Sequence, residues 1–188
     1  MKTLYVFALE AEAKYTREIK PCHIWITGVG KVNAAYHMTK AIMTYRGDIG
    51  HVVNLGTAAS GIFEPGSIYQ CNRFKQADMD CKPLGFLEGV TPFDVYGESI
   101  LETVLLDIPI PVAGYCSTAD RFVENPAAPL VDMEAHSLAK VCRMLNVNFT
   151  SIKYVSDNGG MLDWKKSLDD ASRALADVVK LLDASSEC

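Results

Sequence analysis

The sequence predicts an α/β fold: a single three-layer domain over residues 1–188, with a mostly parallel or mixed central sheet and helices on both faces. Three observations predict it. Short apolar runs of strand length recur along the chain, two late segments carry apolar stripes at helical spacing, and the order strand, glycine turn, helix, strand repeats. Runs that are apolar throughout, rather than alternating, suit strands covered on both faces. With 188 residues, 49% of them hydrophobic and 22% charged, the chain is long enough to fold without disulfides or metals. A domain of this size buries about two-thirds of its unfolded surface.

The elements follow in chain order. Leu4-Tyr-Val-Phe-Ala-Leu9 reads as the first strand and runs straight into Glu10 and Glu12. His23-Ile-Trp-Ile-Thr27 is the second, and the turn Gly28-Val-Gly30 after it opens a helix from Lys31 to Tyr45. Val52 and Val53 lead a third strand into Asn54-Leu-Gly56. Gly66 to Phe74 alternates weakly, Pro111 to Cys116 is apolar, and Ser151 to Val155 is a further strand. Between them, Gln76 to Glu98 forms one long irregular loop, and long loops in compact domains are usually functional. Val131, Ala135, Leu138, Cys142 and Leu145 make one stripe of a helix spanning 131–145. Ser167 and Asp170 read as a capping box that opens a last helix, with Leu168, Ala171, Leu175, Val178, Val179 and Leu182 on its apolar face.

Composition narrows the function classes. Eighteen basic residues against 23 acidic ones, a formal charge of -5, argue against a nucleic-acid partner, which needs a basic stripe. Cys22, Cys71, Cys81, Cys116, Cys142 and Cys188 form no closely spaced pairs, so they read as small reduced core residues rather than a zinc site or a disulfide framework. The apolar run near the N-terminus is too short for a signal peptide, and no stretch approaches the ~20 apolar residues of a spanning helix. A cytoplasmic protein with no membrane partner and a small-molecule ligand is the expectation.

Two glycine-bearing strand ends and three carboxylates could carry chemistry. Thr27-Gly-Val-Gly30-Lys31 has the position of a phosphate-cradling loop, but Asn33 stands where a dinucleotide fingerprint has its third glycine, and the P-loop pattern is absent. Tight strand–helix packing accounts for its glycines equally well. Asn54-Leu-Gly-Thr57-Ala-Ala-Ser60-Gly61 lets a ligand approach the backbone at the end of a strand, where open α/β sheets bind ligands, or is an ordinary turn. Glu12 follows the first strand, Glu134 sits at the start of the 131–145 helix, and Asp157 ends the strand Ile152-Lys-Tyr-Val-Ser156. Each alone is compatible with a cap or a solvated turn. Together, at strand ends and helix starts, they match the use of carboxylates in glycosidic hydrolysis.

At this point the chain resembles the nucleoside phosphorylase/nucleosidase family. The resemblance rests on Ala8-Leu-Glu10-Ala-Glu12, Thr27-Gly-Val-Gly-Lys-Val-Asn-Ala-Ala35, Asn54-Leu-Gly-Thr-Ala58, Ala77-Asp-Met-Asp80, Asp120-Arg-Phe122-Val123, Asp132-Met-Glu-Ala135 and Val155-Ser-Asp157, in the family's order. The 5'-methylthioadenosine/S-adenosylhomocysteine nucleosidase branch is the most similar, which implies its phosphorylase/hydrolase-like fold. The resemblance implies that Asp157 protonates N7 of a purine, that Glu134 holds the ribose hydroxyls while Met133 packs the sugar, and that Glu12 deprotonates the attacking water. It implies Phe122 stacked on the base, the Val123 backbone at its edge, and Thr57 and Ala58 near the sugar. Ser156 joins the substrate-binding set beside Asp157. It further implies a homodimer acting on a nucleoside, with no cofactor and no metal. A general acid must keep its proton, so Asp157 is expected in a poorly solvated site.

Hydrolysis is favoured over phosphorolysis because phosphate needs fixed cations, usually Arg. Arg17, Arg46, Arg73, Arg121, Arg143 and Arg173 fall at none of the positions the resemblance implies for phosphate, although Arg121 adjoins the purine loop. The chain is shorter than typical members between Glu12 and Gly28, by what looks like a strand hairpin, and between Phe122 and Met133; Ala59-Ser60 replaces a glycine pair. The alternatives are a purine nucleoside phosphorylase, a futalosine-type nucleosidase, or a nucleoside-binding module weakened in catalysis.

Overall fold

A computed structural model describes residues 2–19, 23–45 and 47–186; Cys22, Arg46 and Cys188 lie outside the described residues. Among the described residues, nine strands form one mixed sheet: β1 (Lys2–Phe7), β2 (Ile24–Ile26), β3 (Ile49–Ala59), β4 (Ile68–Cys71), β5 (Arg73–Gln76), β6 (Leu101–Glu102), β7 (Cys116–Thr118), β8 (Leu130–Asp132) and β9 (Asn148–Asp157). Four α-helices cover it: α1 (Glu10–Ile19), α2 (Lys31–Tyr45), α3 (Ala135–Met144) and α4 (Met161–Ser186).

The three layers follow from side-chain alternation. On β1, Leu4 and Val6 face the helices α2 and α3, while Tyr5 and Phe7 face α1 and α4. Strand β3 does the same with Val52 and Ala58 on one side and Val53 and Leu55 on the other. A strand whose successive residues all enter a core tends to read as a continuous apolar run, which is why β1 is legible. Met38, Leu138 and Phe149 belong to the first core; Leu175, Val179 and Ile152 belong to the second. Cys71, Cys116 and Cys142 are fully buried in the first core, as expected of small apolar fillers.

β3 is the hub of the sheet. It pairs in parallel with β1 on one side and with β9 on the other, and its last residue, Ala59, meets Val131 of β8 in an antiparallel step. The register along β9 runs Gly56 to Lys153, Thr57 to Tyr154 and Ala58 to Val155, and then jumps so that Ala59 faces Asp157. Ser156 is the extra residue of this β-bulge, which lies beside the ends of the strands.

Several boundaries differ from the sequence-based expectation. The helix expected over 131–145 begins only at Ala135, because Leu130–Asp132 pairs with β7 as a strand. The Asp132 carboxylate then accepts the Ala135 N–H at 2.9 Å, in the manner of a cap. The last helix starts at Met161, six residues before Ser167, so Ser167 and Asp170 form no capping box. The Ser167 hydroxyl donates instead to the Trp164 carbonyl at 2.9 Å, the back-bonding that Ser adopts inside helices. The stretch from Gly66 to Phe74 divides into β4 and β5 at Asn72, and Pro111–Cys116 is reduced to a bridge at Val112 and the start of β7. Between Glu12 and Gly28 the described chain holds the rest of α1 and the short β2. No described helix is long and apolar enough to cross a membrane.

Candidate active site

Glu12 lies one turn into α1, and its carboxylate turns back over the helix start. Its Oε2 accepts the Leu9 N–H at 3.1 Å, the reach of a capping-box glutamate. Its Oε1 accepts both the N–H and the hydroxyl of Thr57, each at 2.9 Å. Glu12 is 3% exposed, whereas its neighbour Glu10 is solvated and pairs with Arg17 at 2.7 Å. Gly56 lies against both groups: a Cβ there would stand 3.4 Å from Glu12 Oε1 and 3.5 Å from Lys153 Nζ, in ordinary contact.

Glu134 precedes α3 directly, and Oε1 accepts the Gly30 N–H at 2.8 Å. The next amide of α2, Lys31 N–H, donates to Asp120 Oδ1 at 2.8 Å. The glycine turn therefore presents helix N–H groups to the chain's own carboxylates, which the helix dipole favours. Lys31 Nζ pairs with Asp78 at 2.5 Å and stands 3.8 Å from Asp120, and the Asp120 N–H donates to Asp78 at 3.0 Å. These contacts fix the segment that carries Phe122 and Val123, and they give the first residues of the long loop after β5 an anchoring task.

Beneath Glu134 lies an ion pair that sequence reasoning missed. Lys153 Nζ meets Asp132 Oδ2 at 2.8 Å, with side-chain exposures of 2% and 1%. Thr118 donates its hydroxyl to Asp132 at 2.6 Å. Burial alone would raise the Asp132 carboxyl, but Lys153, Thr118 and the Ala135 N–H hold it below its ordinary value. Burial likewise disfavours the Lys153 charge, and Asp132 more than offsets it, leaving the ammonium above its ordinary value. Glu134 is pushed the other way. Burial, and then the Asp132 charge, bring its carboxyl up to about 8, against the opposing pull of Lys153 and the Gly30 N–H.

Asp157 closes β9 at 2% exposure, which meets the expectation of a dry setting. Its Oδ1 accepts the Gly159 N–H at 2.7 Å, and Oδ2 lies 2.6 Å from Ser156 Oγ. Ser156 Oγ also stands 3.2 Å from the Ala58 carbonyl, so its single hydroxyl proton has two acceptors within reach. Gly159 has φ +103, and a Cβ there would lie 2.7 Å from Asn125 N and 2.9 Å from Val123 O. Only glycine lets the backbone of Val123 to Asn125 come this close to the residues after Asp157.

The elements converge. Glu12, Thr57, Ala58, Phe122, Val123, Met133, Glu134, Ser156 and Asp157 all line one cleft, open at its mouth. Lys153, Asp132, Arg121, Met161 and Trp164 are also part of the wall. A lysine inside a strand covered on both faces was the available sequence signal for Lys153. Trp164 gave none, because its place depends on where α4 begins. The cleft joins carboxylates of contrasting environment at the carboxyl ends of β3 and β9, the usual ligand position in such sheets.

The phosphorylase superfamily model matches residues 11–184. The chain belongs to the phosphorylase superfamily. Two curated superfamily relatives are 5'-methylthioadenosine/S-adenosylhomocysteine nucleosidases. That of a Geobacillus species is 28% identical, covering 81% of this chain and 76% of its own. That of Anoxybacillus flavithermus is 30% identical, covering 83% of this chain and 77% of its own. The crystal structure of the Helicobacter pylori 5'-methylthioadenosine/S-adenosyl homocysteine nucleosidase superposes with a TM-score of 0.85 over 98% of both chains at 17% identity, a likeness of fold.

Proposed function

We propose that this chain is an N-ribohydrolase that cleaves the N-glycosidic bond of a purine nucleoside of the 5'-methylthioadenosine/S-adenosylhomocysteine type, releasing adenine and a ribose derivative. The observation that carries the reading is the convergence of Glu12, Glu134 and Asp157 on one cleft. Asp157, dry and oriented by Gly159 and Ser156, protonates N7 of the base, so that the C–N bond breaks with the electron pair leaving on a neutral purine. The ribosyl cation left behind is attacked by water. Three donors occupy the Glu12 carboxylate, two on Oε1 and one on Oε2, which leaves a lone pair of Oε2 to take the water's proton. Glu134 engages the ribose hydroxyls, Met133 packs the sugar with Thr57 and Ala58 beside it, Phe122 stacks on the purine, and the Val123 backbone meets its edge. The chain works as one domain, as a homodimer and in the cytoplasm; the family resemblance supports these parts of the reading.

Incubation with 5'-methylthioadenosine or S-adenosylhomocysteine, with and without phosphate, tests it. Adenine release independent of phosphate is expected. Asp157→Asn should lower kcat about 10²–10⁴-fold while ligand affinity stays within about tenfold, the range of general acid catalysis. Full activity in that variant overturns the assignment. One observation favours testing phosphorolysis in parallel: Arg121 lines the cleft and, among the described residues, pairs with no carboxylate, whereas Arg17, Arg73, Arg143 and Arg173 all do. Strict phosphate dependence would transfer the reading to a phosphorylase.

A further inference from the structure

The hydroxyl of Thr57 has one proton and two lone pairs. It stands 2.9 Å from Glu12 Oε1 and 3.1 Å from Trp164 Nε1. An indole N–H only donates, and a carboxylate only accepts, so the direction of the chain is fixed: Trp164 N–H to the Thr57 oxygen, and the Thr57 proton to Glu12. Trp164 comes from the first turn of α4, 107 residues further along the chain than Thr57. It is half-buried in the cleft wall, while Met161 and Leu162 of the same turn are exposed.

We propose that Trp164 is a positioning residue for Glu12, acting through Thr57 and resting on the N-ribohydrolase reading above. Thr57 is β-branched and has few side-chain rotamers. The indole N–H selects the one that points its proton at Glu12, and each hydrogen bond polarises the next. The effect is to fix the direction of the Glu12 lone pair that meets water. Because the donor sits on α4 and the acceptor on β3, the water-activating carboxylate is correctly set only while the first turn of α4 is seated on the cleft. Ring bulk is a separate contribution, since the indole also forms part of the wall.

Trp164→Phe keeps an aromatic ring and removes the N–H, Trp164→Ala removes both, and Thr57→Val removes the hydroxyl. Adenine release is measured for each variant and for the Thr57→Val/Trp164→Phe pair. Trp164→Phe should lower kcat about tenfold, the worth of one hydrogen bond, with KM within about threefold. Trp164→Ala should raise KM as well. On the Thr57→Val background Trp164→Phe should cost nothing further, because the relay is already broken. The chain has two tryptophans, Trp25 and Trp164, so its NMR spectrum holds two indole N–H signals, and Thr57→Val should move one of them. A Trp164→Phe enzyme with unchanged kcat, or a loss that adds in full to that of Thr57→Val, overturns the relay while the activity of the unaltered protein leaves the hydrolase reading standing. No base release from the unaltered protein overturns both.

Discussion

Replacing Lys153 with methionine would strip the positive charge from a site where Asp132 has nowhere to turn. The two side chains are 2% and 1% exposed and meet at 2.8 Å. At that separation, with an effective dielectric of about 20, their attraction is about 6 kcal/mol, which desolvation partly offsets. Removing one partner of such a pair costs about 3–5 kcal/mol, since the other charge stays buried. Asp132 keeps only Thr118 and the Ala135 N–H, and α3 loses a well-set start. Lys153→Met should therefore lower the stability measured by urea denaturation at pH 7 by about 3–5 kcal/mol. In the unaltered protein Asp132 is held below its ordinary value, so its contribution is present above the unfolded carboxylate range and is lost as pH falls through the folded value. Lys153 is held above its ordinary value, so its contribution disappears only as pH rises through that raised value. Neutral pH lies between. In the variant, burial dominates at Asp132, and the penalty should shrink as pH falls below neutral and the carboxyl takes up a proton. Adding Asp132→Asn should recover most of the loss. A single variant within 1 kcal/mol of the parent at pH 7, or a double variant no better than the single, would refute the buried-pair account.

Further outcomes follow from neighbouring groups. The Glu134 carboxyl, raised to about 8 by burial and Asp132, holds a proton that the unfolded chain has lost, so its share of stability declines as pH rises from about 4.5 through 8. Glu134→Gln should remove this decline and gain up to about 4 kcal/mol relative to the parent between pH 5 and 9, read by denaturation at both. Gly159→Ala should cost at least about 1–3 kcal/mol from backbone strain at φ +103 and should also reduce base release, because the new Cβ meets the backbone of Val123 and Asn125 in the cleft region. Cys71, Cys116 and Cys142 are all raised by burial, Cys71 to about 11, so these three thiols should resist a thiol reagent until the protein unfolds.

The first strand was legible because a two-sided core demands an unbroken apolar run, as from Leu4 to Phe7; in β3 the pair Val52-Val53 and Leu55 carried the signal around the buried, hydrogen-bonded Asn54. Helix α2 was legible in full, from Lys31 to Tyr45, since a glycine turn marks its start. Helix α1 was not, because Glu10, Lys14 and Arg17 dominate it and only Glu12, Ala13 and Thr16 are buried. β8 was misread because Val131 fits a helical stripe by spacing, while its pairing with Ser117 is a long-range contact that no local pattern reports. At the site, carboxylates following strand ends were visible in the sequence. The ion pair below them was not, because Asp132 and Lys153 are brought together by the sheet and not by spacing.

The bulge at Ser156 has a consequence for how this chain can change over evolutionary time. Lys153 and Val155 look towards one layer of helices and Ile152 and Tyr154 towards the other, and a strand can exchange those allegiances only by gaining or losing one residue. Ser156 is that residue. Deleting it would leave the length of the strand nearly intact and the apolar packing largely satisfied, yet it would re-aim the carboxyl group at its tip. The two helix layers would keep their apolar partners along the strand while Asp157 turned away from the cleft that Glu12 and Glu134 line; within this architecture, the convergence of the three carboxylates depends on a single codon.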